Sequence, residues 1–103
     1  MRDISIENIR FDQVVVQDAA EYNGFHIRFM VENQRFDFLV GGKQSPFPLN
    51  IRHQFNEKEI CHICGSKIYP VPIGHQVCKV FQENKAQLLR YFQKRFPSSF
   101  LVS

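Results

Sequence analysis

Apolar and polar residues alternate most regularly between residues 25 and 40. The apolar positions are Phe25, Ile27, Phe29 and Val31, followed by Phe36, Phe38 and Val40. A period of two predicts strands with one buried face, so we expect an antiparallel hairpin over residues 25–40. A two-residue turn at Asn33 and Gln34 would set its register. The cross-strand pairs would then be Val31 with Phe36, Phe29 with Phe38, and Ile27 with Val40.

The segments on either side of this hairpin also favour β-structure. Residues 4–16 alternate, and the parity changes near Asn8, which predicts two short N-terminal strands separated by a bulge or turn. Residues 50–55 predict a further strand. Residues 1–55 are therefore expected to form a small antiparallel sheet. The second face of the hairpin, with His26, Arg28 and Asp37, is expected to be solvated.

The C-terminal third of the chain changes to a helical period. One stripe contains Phe81, Leu88, Phe92 and Phe96, with Leu89 at its edge. This spacing predicts a helix that begins at about His75 or Cys78, covers residues 79–96 and is ended by Pro97. The apolar tail, residues 97–103, is expected to pack back on the domain. The predicted fold class is therefore α+β.

Composition and length place the chain among small globular proteins. The 103 residues are 44% hydrophobic and 22% charged, which favours one folded domain over residues 1–103. No apolar run exceeds three residues, so no membrane span is expected, and the N-terminus lacks the apolar core of a signal peptide. We therefore expect an intracellular protein, cytoplasmic or nuclear. A reducing compartment also suits three cysteines that are free to bind metal.

Charge and aromatic residues are unevenly distributed. Residues 1–40 carry four basic and seven acidic side chains, whereas residues 41–103 carry nine basic and three acidic ones. The two halves are expected to form faces of opposite charge. The chain also has eleven Phe, three Tyr and no Trp, so some Phe is expected in an exposed contact surface.

The three cysteines fall within residues 61–78, a segment we predict to bind zinc within the range 56–78. Cys61 and Cys64 form one Cys-x2-Cys pair, and after ten residues His75 and Cys78 form a His-x2-Cys pair. Three thiolates and one imidazole in two close pairs are typical of a structural zinc site. The spacing of the second pair favours one face of a helix's first turn. His62 is the alternative fourth ligand.

The local pattern around these residues resembles a known class of zinc motif. Gly65 directly after Cys64 is typical of a zinc knuckle, because glycine tolerates the positive φ with which the chain leaves the turn. Knuckle, extended excursion and helix-borne second pair together resemble a treble-clef finger. Cys-x2-Cys followed by His-x2-Cys also resembles the first half of a LIM domain, with a shorter spacer and no second ligand set after Cys78.

Function follows less directly from the residues than the metal does. Four candidate ligands favour one closed, structural zinc over a catalytic one, and the deaminase, zincin, phosphate-loop and nucleophile-elbow motifs are absent from the sequence. We therefore expect no catalytic residues and a non-enzymatic interaction module, a small regulator or inhibitor that docks on a protein. No membrane partner and no small-molecule substrate is expected.

Two other functions remain open from the sequence. Nucleic acid is the alternative partner, contacted through a basic surface formed by Lys67, Lys79, Arg90, Lys94 and Arg95. A charge stripe on a helix is, however, more often simply its solvated side. A small metal-dependent nuclease or other enzyme using His26 or His53 is the third hypothesis.

Overall fold

The structure, a computed structural model, describes residues 6–19, 23–70 and 76–100, except for the side chain of Ser99. These residues contain six strands: β1 Asp12–Ala19, β2 Gly24–Val31, β3 Gln34–Gly41, β4 Phe47–His53, β5 Glu59–Ile60 and β6 Lys67–Ile68. The helices are α1 Lys79–Glu83 and α2 Lys85–Arg95, and short 3-10 turns cover Ile6–Asn8 and Pro97–Phe100. The predicted α+β class is confirmed.

Strands β1 to β4 form one antiparallel sheet in sequence order, and β5 pairs with β6 in a separate two-stranded ribbon. The inward face of the large sheet carries the apolar residues of the alternating pattern, and α1 and α2 belong to the same core. Ile27, Phe38, Val40 and Ile51 are fully buried. The period-two pattern therefore identified the core face of β2 and β3.

The predicted hairpin is present, but its predicted register was wrong by two residues. Val31 pairs with Gln34, and Phe29 pairs with Phe36, so the two turn residues are Glu32 and Asn33. Both have positive φ, 48° and 66°, as a two-residue hairpin turn of this type requires, and Asn tolerates this conformation well. A shift by two keeps every side chain on its expected face, which is why the pattern could not distinguish the two registers.

The N-terminal segment differs from the prediction of two strands. Ile6–Asn8 forms a 3-10 turn in place of the first predicted strand, and a single strand, β1, follows. Ile6 is buried, and Phe11 packs edge-on against Phe29 with ring centroids 5.2 Å apart. The alternation in residues 6–11 thus reflects burial on the core and not pairing in a sheet.

Most of the phenylalanines fill the core. Seven of the eleven are buried, namely Phe25, Phe29, Phe36, Phe38, Phe55, Phe81 and Phe92. Phe29 stacks on Phe36 at 5.5 Å and meets Phe81 edge-on at 5.7 Å. Phe47 is the phenylalanine that the described residues leave largely exposed, at 51%.

The predicted helix is present, with a break at Asn84. The side-chain amide of Asn84 donates to the carbonyl of Val80, and its own carbonyl accepts from the N–H of Leu88, so one residue ends α1 and begins α2. The apolar stripe is confirmed, since Phe81, Leu88 and Phe92 are fully buried. Phe100 returns to the core at 4.9 Å from the Phe25 ring, as expected for the start of the tail.

Strand β4 joins the sheet to the segment that leads into α1. Its outer edge pairs with residues 76–78: the N–H of His53 donates to the carbonyl of Gln76, and the N–H of Cys78 donates to the carbonyl of Ile51. Gln82 on α1 adds two side-chain hydrogen bonds to the backbone of β4, at Ile51 and Leu49. No helix in the described part of the chain is long and apolar enough to cross a membrane.

Candidate metal centre

Cys61 and Cys64 lie in a tight turn held by the β5–β6 ribbon. The N–H of Cys61 donates to the carbonyl of Ser66, and the N–H of Gly65 donates to the carbonyl of Cys61. Gly65 has a φ of 75°, in the left-handed region that favours glycine. The backbone N–H groups of Ile63 and Cys64 point at the Cys61 sulfur, at 3.4 and 3.5 Å. The positive φ of Gly65 is the local feature that the sequence predicted here.

Gln34 fixes the position of this knuckle relative to the large sheet. Its side chain is buried at 2% exposure, although it stands at the start of β3 next to the hairpin turn. The amide nitrogen donates to the carbonyl of Ile60 at 3.0 Å, and the amide oxygen accepts from the N–H of His62 at 2.9 Å. The Gln34 side chain therefore binds the backbone on both sides of Cys61.

His53 is the histidine that the described structure brings to the cysteines. It ends β4 on the inward face and is fully buried. Its Nδ1 lies 2.7 Å from the carbonyl oxygen of Gln76, so Nδ1 carries the proton and donates it. Nε2 is then left with a free lone pair and lies 3.5 Å from the Cys64 sulfur. This arrangement fixes the tautomer and orientation that a metal-binding imidazole needs.

Cys78 enters the cluster from the other side, at the residue before α1. Its backbone is extended, with φ −79° and ψ 109°, and its side chain is fully buried. The expectation that Cys78 lies in the first turn of a helix with His75 was wrong on this point, because residues 76–78 run along the edge of β4 and the helix begins only at Lys79. Pairing with β4 is what brings Cys78 near His53.

The four side chains form one compact donor cluster. The ligand atoms of His53, Cys61, Cys64 and Cys78 all lie within 4.8 Å of one another, and none of the three thiols is in a disulfide. In a tetrahedral site with metal–sulfur bonds of about 2.3 Å, neighbouring sulfurs are about 3.8 Å apart. The 4.8 Å limit of the cluster is about 1 Å wider than that spacing. These residues lie close enough to hold a metal ion.

The cluster also favours negative charge on sulfur. A hydrogen bond from Cys78 holds the pKa of Cys61 far below its usual range against the opposing effect of burial, and the backbone N–H groups of Cys64 and Ile63 add to the lowering. The same contact, together with burial, raises the pKa of Cys78. One thiolate is thus already stabilised where a cation would lie, and thiolate is the form that binds metal.

The sequence-predicted ligands divide into three groups. Cys61, Cys64 and Cys78 converge as expected. His75 lies outside the described residues. His62, the alternative, is exposed and is not a member of the cluster. Sequence reasoning missed His53 as a candidate ligand, although it stands eight residues before Cys61 at a position of a predicted strand where the neighbouring residues of the same parity are apolar.

The basic residues predicted to form a binding surface are all exposed but belong to different elements. Lys67 lies on β6, Lys79 begins α1, and the other three lie on α2. Arg90 and Lys94 are one turn apart, whereas the guanidinium of Arg95 lies over the Tyr91 ring at 5.5 Å. The break at Asn84 separates Lys79 from the α2 residues.

Comparison with known proteins gives no relative for this chain. No protein-family model, no curated protein and no solved structure matches it.

Proposed function

We propose that this chain is a non-enzymatic interaction module whose fold is held by one structural zinc ion. The observation that carries the proposal is the convergence of one imidazole and three thiols within 4.8 Å. Zinc suits this donor set because it binds thiolate and imidazole in a tetrahedron and imposes no redox chemistry. Four protein ligands also leave no open position for a water or substrate, which is what a catalytic zinc usually keeps.

The cluster connects three parts of the fold. His53 comes from the large sheet, Cys61 and Cys64 come from the ribbon, and Cys78 precedes the helices. A two-stranded ribbon with two-residue strands is marginal by itself, so zinc would supply much of the stability of this region. The knuckle and the helix after Cys78 support a treble-clef-like arrangement, with the fourth ligand taken from a strand.

The outward face of the ribbon supplies a docking surface, which we call the ribbon patch: Lys58, Ile60, Lys67 and Tyr69. Ile60 pairs with Lys67, and Ile68 on the other parity is fully buried, so the patch residues point away from the core. Ile60 is 59% and Tyr69 48% exposed, and the ammonium of Lys58 lies 6.0 Å from the Tyr69 ring centre. An exposed apolar pair beside cations is typical of a contact surface.

The partner proposed for the ribbon patch is a protein surface with an apolar pocket and an acidic rim. Tyr69 and Ile60 would fill the pocket, and the two lysines would face the carboxylates. Docking on a larger protein through this patch is consistent with a small regulator or inhibitor. Zinc is required for binding under this proposal, because the ribbon carries both the metal ligands and the contact residues.

The metal is tested by elemental analysis of the purified chain, which should give one zinc per chain. Cys61→Ser should lose zinc and lower the thermal stability, because the binding free energy of a structural zinc is also folding free energy. A metal-free chain with the same thermal midpoint as the wild type would refute the zinc assignment.

The partner is tested by capture from the source cell after nuclease treatment. An Ile60→Ser/Tyr69→Ser variant should lose a stoichiometric protein that the wild type recovers, with its zinc content unchanged. Val15→Ser is the matched control, because Val15 is 47% exposed on β1, away from the ribbon. Equal recovery by both variants would show that the ribbon patch is not the contact surface.

Nucleic-acid binding through α2 is the second candidate function. Arg90 and Lys94 are exposed one turn apart with no ion pair among the described residues, so both are free to contact phosphates. Retention on heparin that falls steeply with salt, and is lost in an Arg90→Gln/Lys94→Gln variant, is the expected result. No retention at low salt would exclude it.

A further inference from the structure

The sheet face opposite the helices is not the plain solvated surface that its polar residues suggested. Asp37 lies at its centre with only 4% exposure. One carboxylate oxygen lies 3.3 Å from Nε2 of His26 and 3.9 Å from Nε of Arg28, and the other accepts from the side-chain amide of Gln54. The buried carboxylate therefore has its charged and hydrogen-bonding partners within the chain.

A cleft of about 420 Å³ lies on this face. Its charged lining residues are Arg28, Arg35 and Asp37, and amide side chains of Gln13, Gln54 and Asn56 complete its polar wall. The Arg28 side chain is 59% exposed, and Arg35 is exposed with no ion pair among the described residues. Two arginines against one carboxylate leave the cleft with net positive charge, and its amide side chains add hydrogen-bond donors, which suit a phosphate group.

An exposed aromatic ring lies at the far end of the same face. Val40 points into the core, so a side chain at Gly41 would point to the open face, and there its Cβ would lie only 2.7 Å from the Phe47 ring. The ring therefore packs against the Gly41 backbone, and Phe47 is still 51% exposed. A ring held in this way is a stacking platform for a base.

The spacing of these features fits an extended ligand. Arg35 and Gly41 lie on the same strand, six residues apart, which corresponds to about 20 Å along β3. Between them the face offers the Arg28 guanidinium and the half-buried side chains of Leu39 and Asn50. A phosphate-binding cleft and a stacking ring on one open antiparallel sheet are what single-stranded nucleic acid requires, whereas a duplex keeps its bases stacked internally.

We propose that single-stranded nucleic acid binds across this open sheet face, with phosphates at Arg28 and Arg35 and a base on Phe47. This surface is distinct from both the ribbon patch and α2, because the helices cover the opposite face of the sheet. The proposal adds a second binding function to the zinc-held module and does not depend on the protein partner.

The test measures binding of a short fluorescently labelled oligouridylate by anisotropy across a salt series. Wild-type affinity should fall with salt, and Arg35→Gln should lower the slope of log K against log salt by about 0.7, the value for one phosphate contact on a single strand. Phe47→Leu should weaken binding by about 5- to 150-fold through lost stacking. Arg35 is substituted instead of Arg28 because Arg28 contacts Asp37, and this contact stays intact when Arg35 is replaced.

Arg90→Gln is the matched control, because it removes the same charge from the opposite side of the molecule. Loss of affinity in Arg35→Gln and Phe47→Leu with retention in Arg90→Gln supports the proposal. Loss of affinity only in Arg90→Gln would place the binding site on α2 instead. Equal affinity for a duplex of the same length would exclude single-strand recognition. No binding at low salt would refute nucleic-acid binding at both surfaces. Protein capture with the Ile60→Ser/Tyr69→Ser variant tests the ribbon patch independently, so a negative result in one experiment does not refute the other function.

Discussion

Replacing His53 by phenylalanine separates its role as a metal ligand from its role in packing. The ring of His53 lies 5.6 Å from that of Phe36 and 5.2 Å from that of Phe55, in a fully buried aromatic environment that accepts a phenyl ring of similar size. The carbonyl of Gln76 loses its bond from Nδ1 but still accepts from the backbone N–H of His53. His53→Phe should therefore cost the metal-free fold only about 1 kcal/mol.

The effect on zinc binding should be much larger. Structural zinc in small domains contributes roughly 10–16 kcal/mol over four ligands, so one ligand accounts for about 2.5–4 kcal/mol. His53→Phe should then weaken zinc binding by about 10²- to 10³-fold. The dissociation constant is measured by competition with a chromogenic chelator, at a fixed pH because ligand deprotonation couples binding to protons.

His75→Ala is the decisive comparison, because His75 is the ligand that the local spacing predicted. It should leave zinc affinity within about threefold of the wild type, whereas His53→Cys should retain binding through a fourth thiolate and shift the cobalt absorption spectrum. Unchanged zinc affinity in His53→Phe, together with loss in His75→Ala, would refute the assignment of His53 as the fourth ligand.

Three further substitutions test the parts of the fold that position these sites. Asp37→Asn should destabilise the protein at neutral pH. Burial raises the pKa of Asp37, but the contacts with His26, Gln54 and Arg28 outweigh it and lower the pKa from its ordinary 3.8. The stabilisation by the Asp37 carboxylate is therefore fully present above pH 3.8 and is lost as the pH falls through the pKa of the folded protein. The unfolding free energies of the two proteins, measured in urea from pH 7 to pH 2, should become equal at the acid end. Gly24→Ala should cost about 2–3 kcal/mol, since its Cβ would lie 2.0 Å from the carbonyl oxygen of Val40, and an unchanged urea midpoint would contradict this packing. Gln34→Leu should lower the free energy of unfolding by about 2–3 kcal/mol and speed zinc release to a chelator, because the carbonyl of Ile60 and the N–H of His62 lose their hydrogen-bond partner. An unchanged release rate would mean that the Gln34 hydrogen bonds do not stabilise the turn that carries Cys61 and Cys64.

The polar side of the sheet shows what a periodic pattern leaves undetermined. Alternation placed His26, Arg28 and Asp37 on one face, and that placement is right, because side-chain direction in a strand follows from parity alone. Whether the residues of such a face are exposed to solvent depends on the contacts between their side chains. Here Asp37 is covered by its own partners, including Gln54 from beyond the end of β4, and no local pattern reports that contact.

The hydrophobic pattern also left the register of the hairpin undetermined. Two registers that differ by two residues bury the same side chains, so hydrophobic pattern alone gives them equal weight. The observed turn is favoured by Asn33 in the left-handed region, and it places Gln34 where its amide binds the ribbon backbone. The contact spans 26 residues of sequence, and it belongs to the tertiary structure.

The sequence by itself determined the α+β class, the core faces of β2, β3 and the helices, and the convergence of Cys61, Cys64 and Cys78. These follow from local periodicity and from short spacings, which fix where side chains point within one element. Only the tertiary structure brought His53 to those cysteines, because the approach depends on residues 76–78 pairing with β4. Such long-range pairing is selected by the free energy of the whole packed chain, so the fourth donor could not be identified from the spacing around the cysteines.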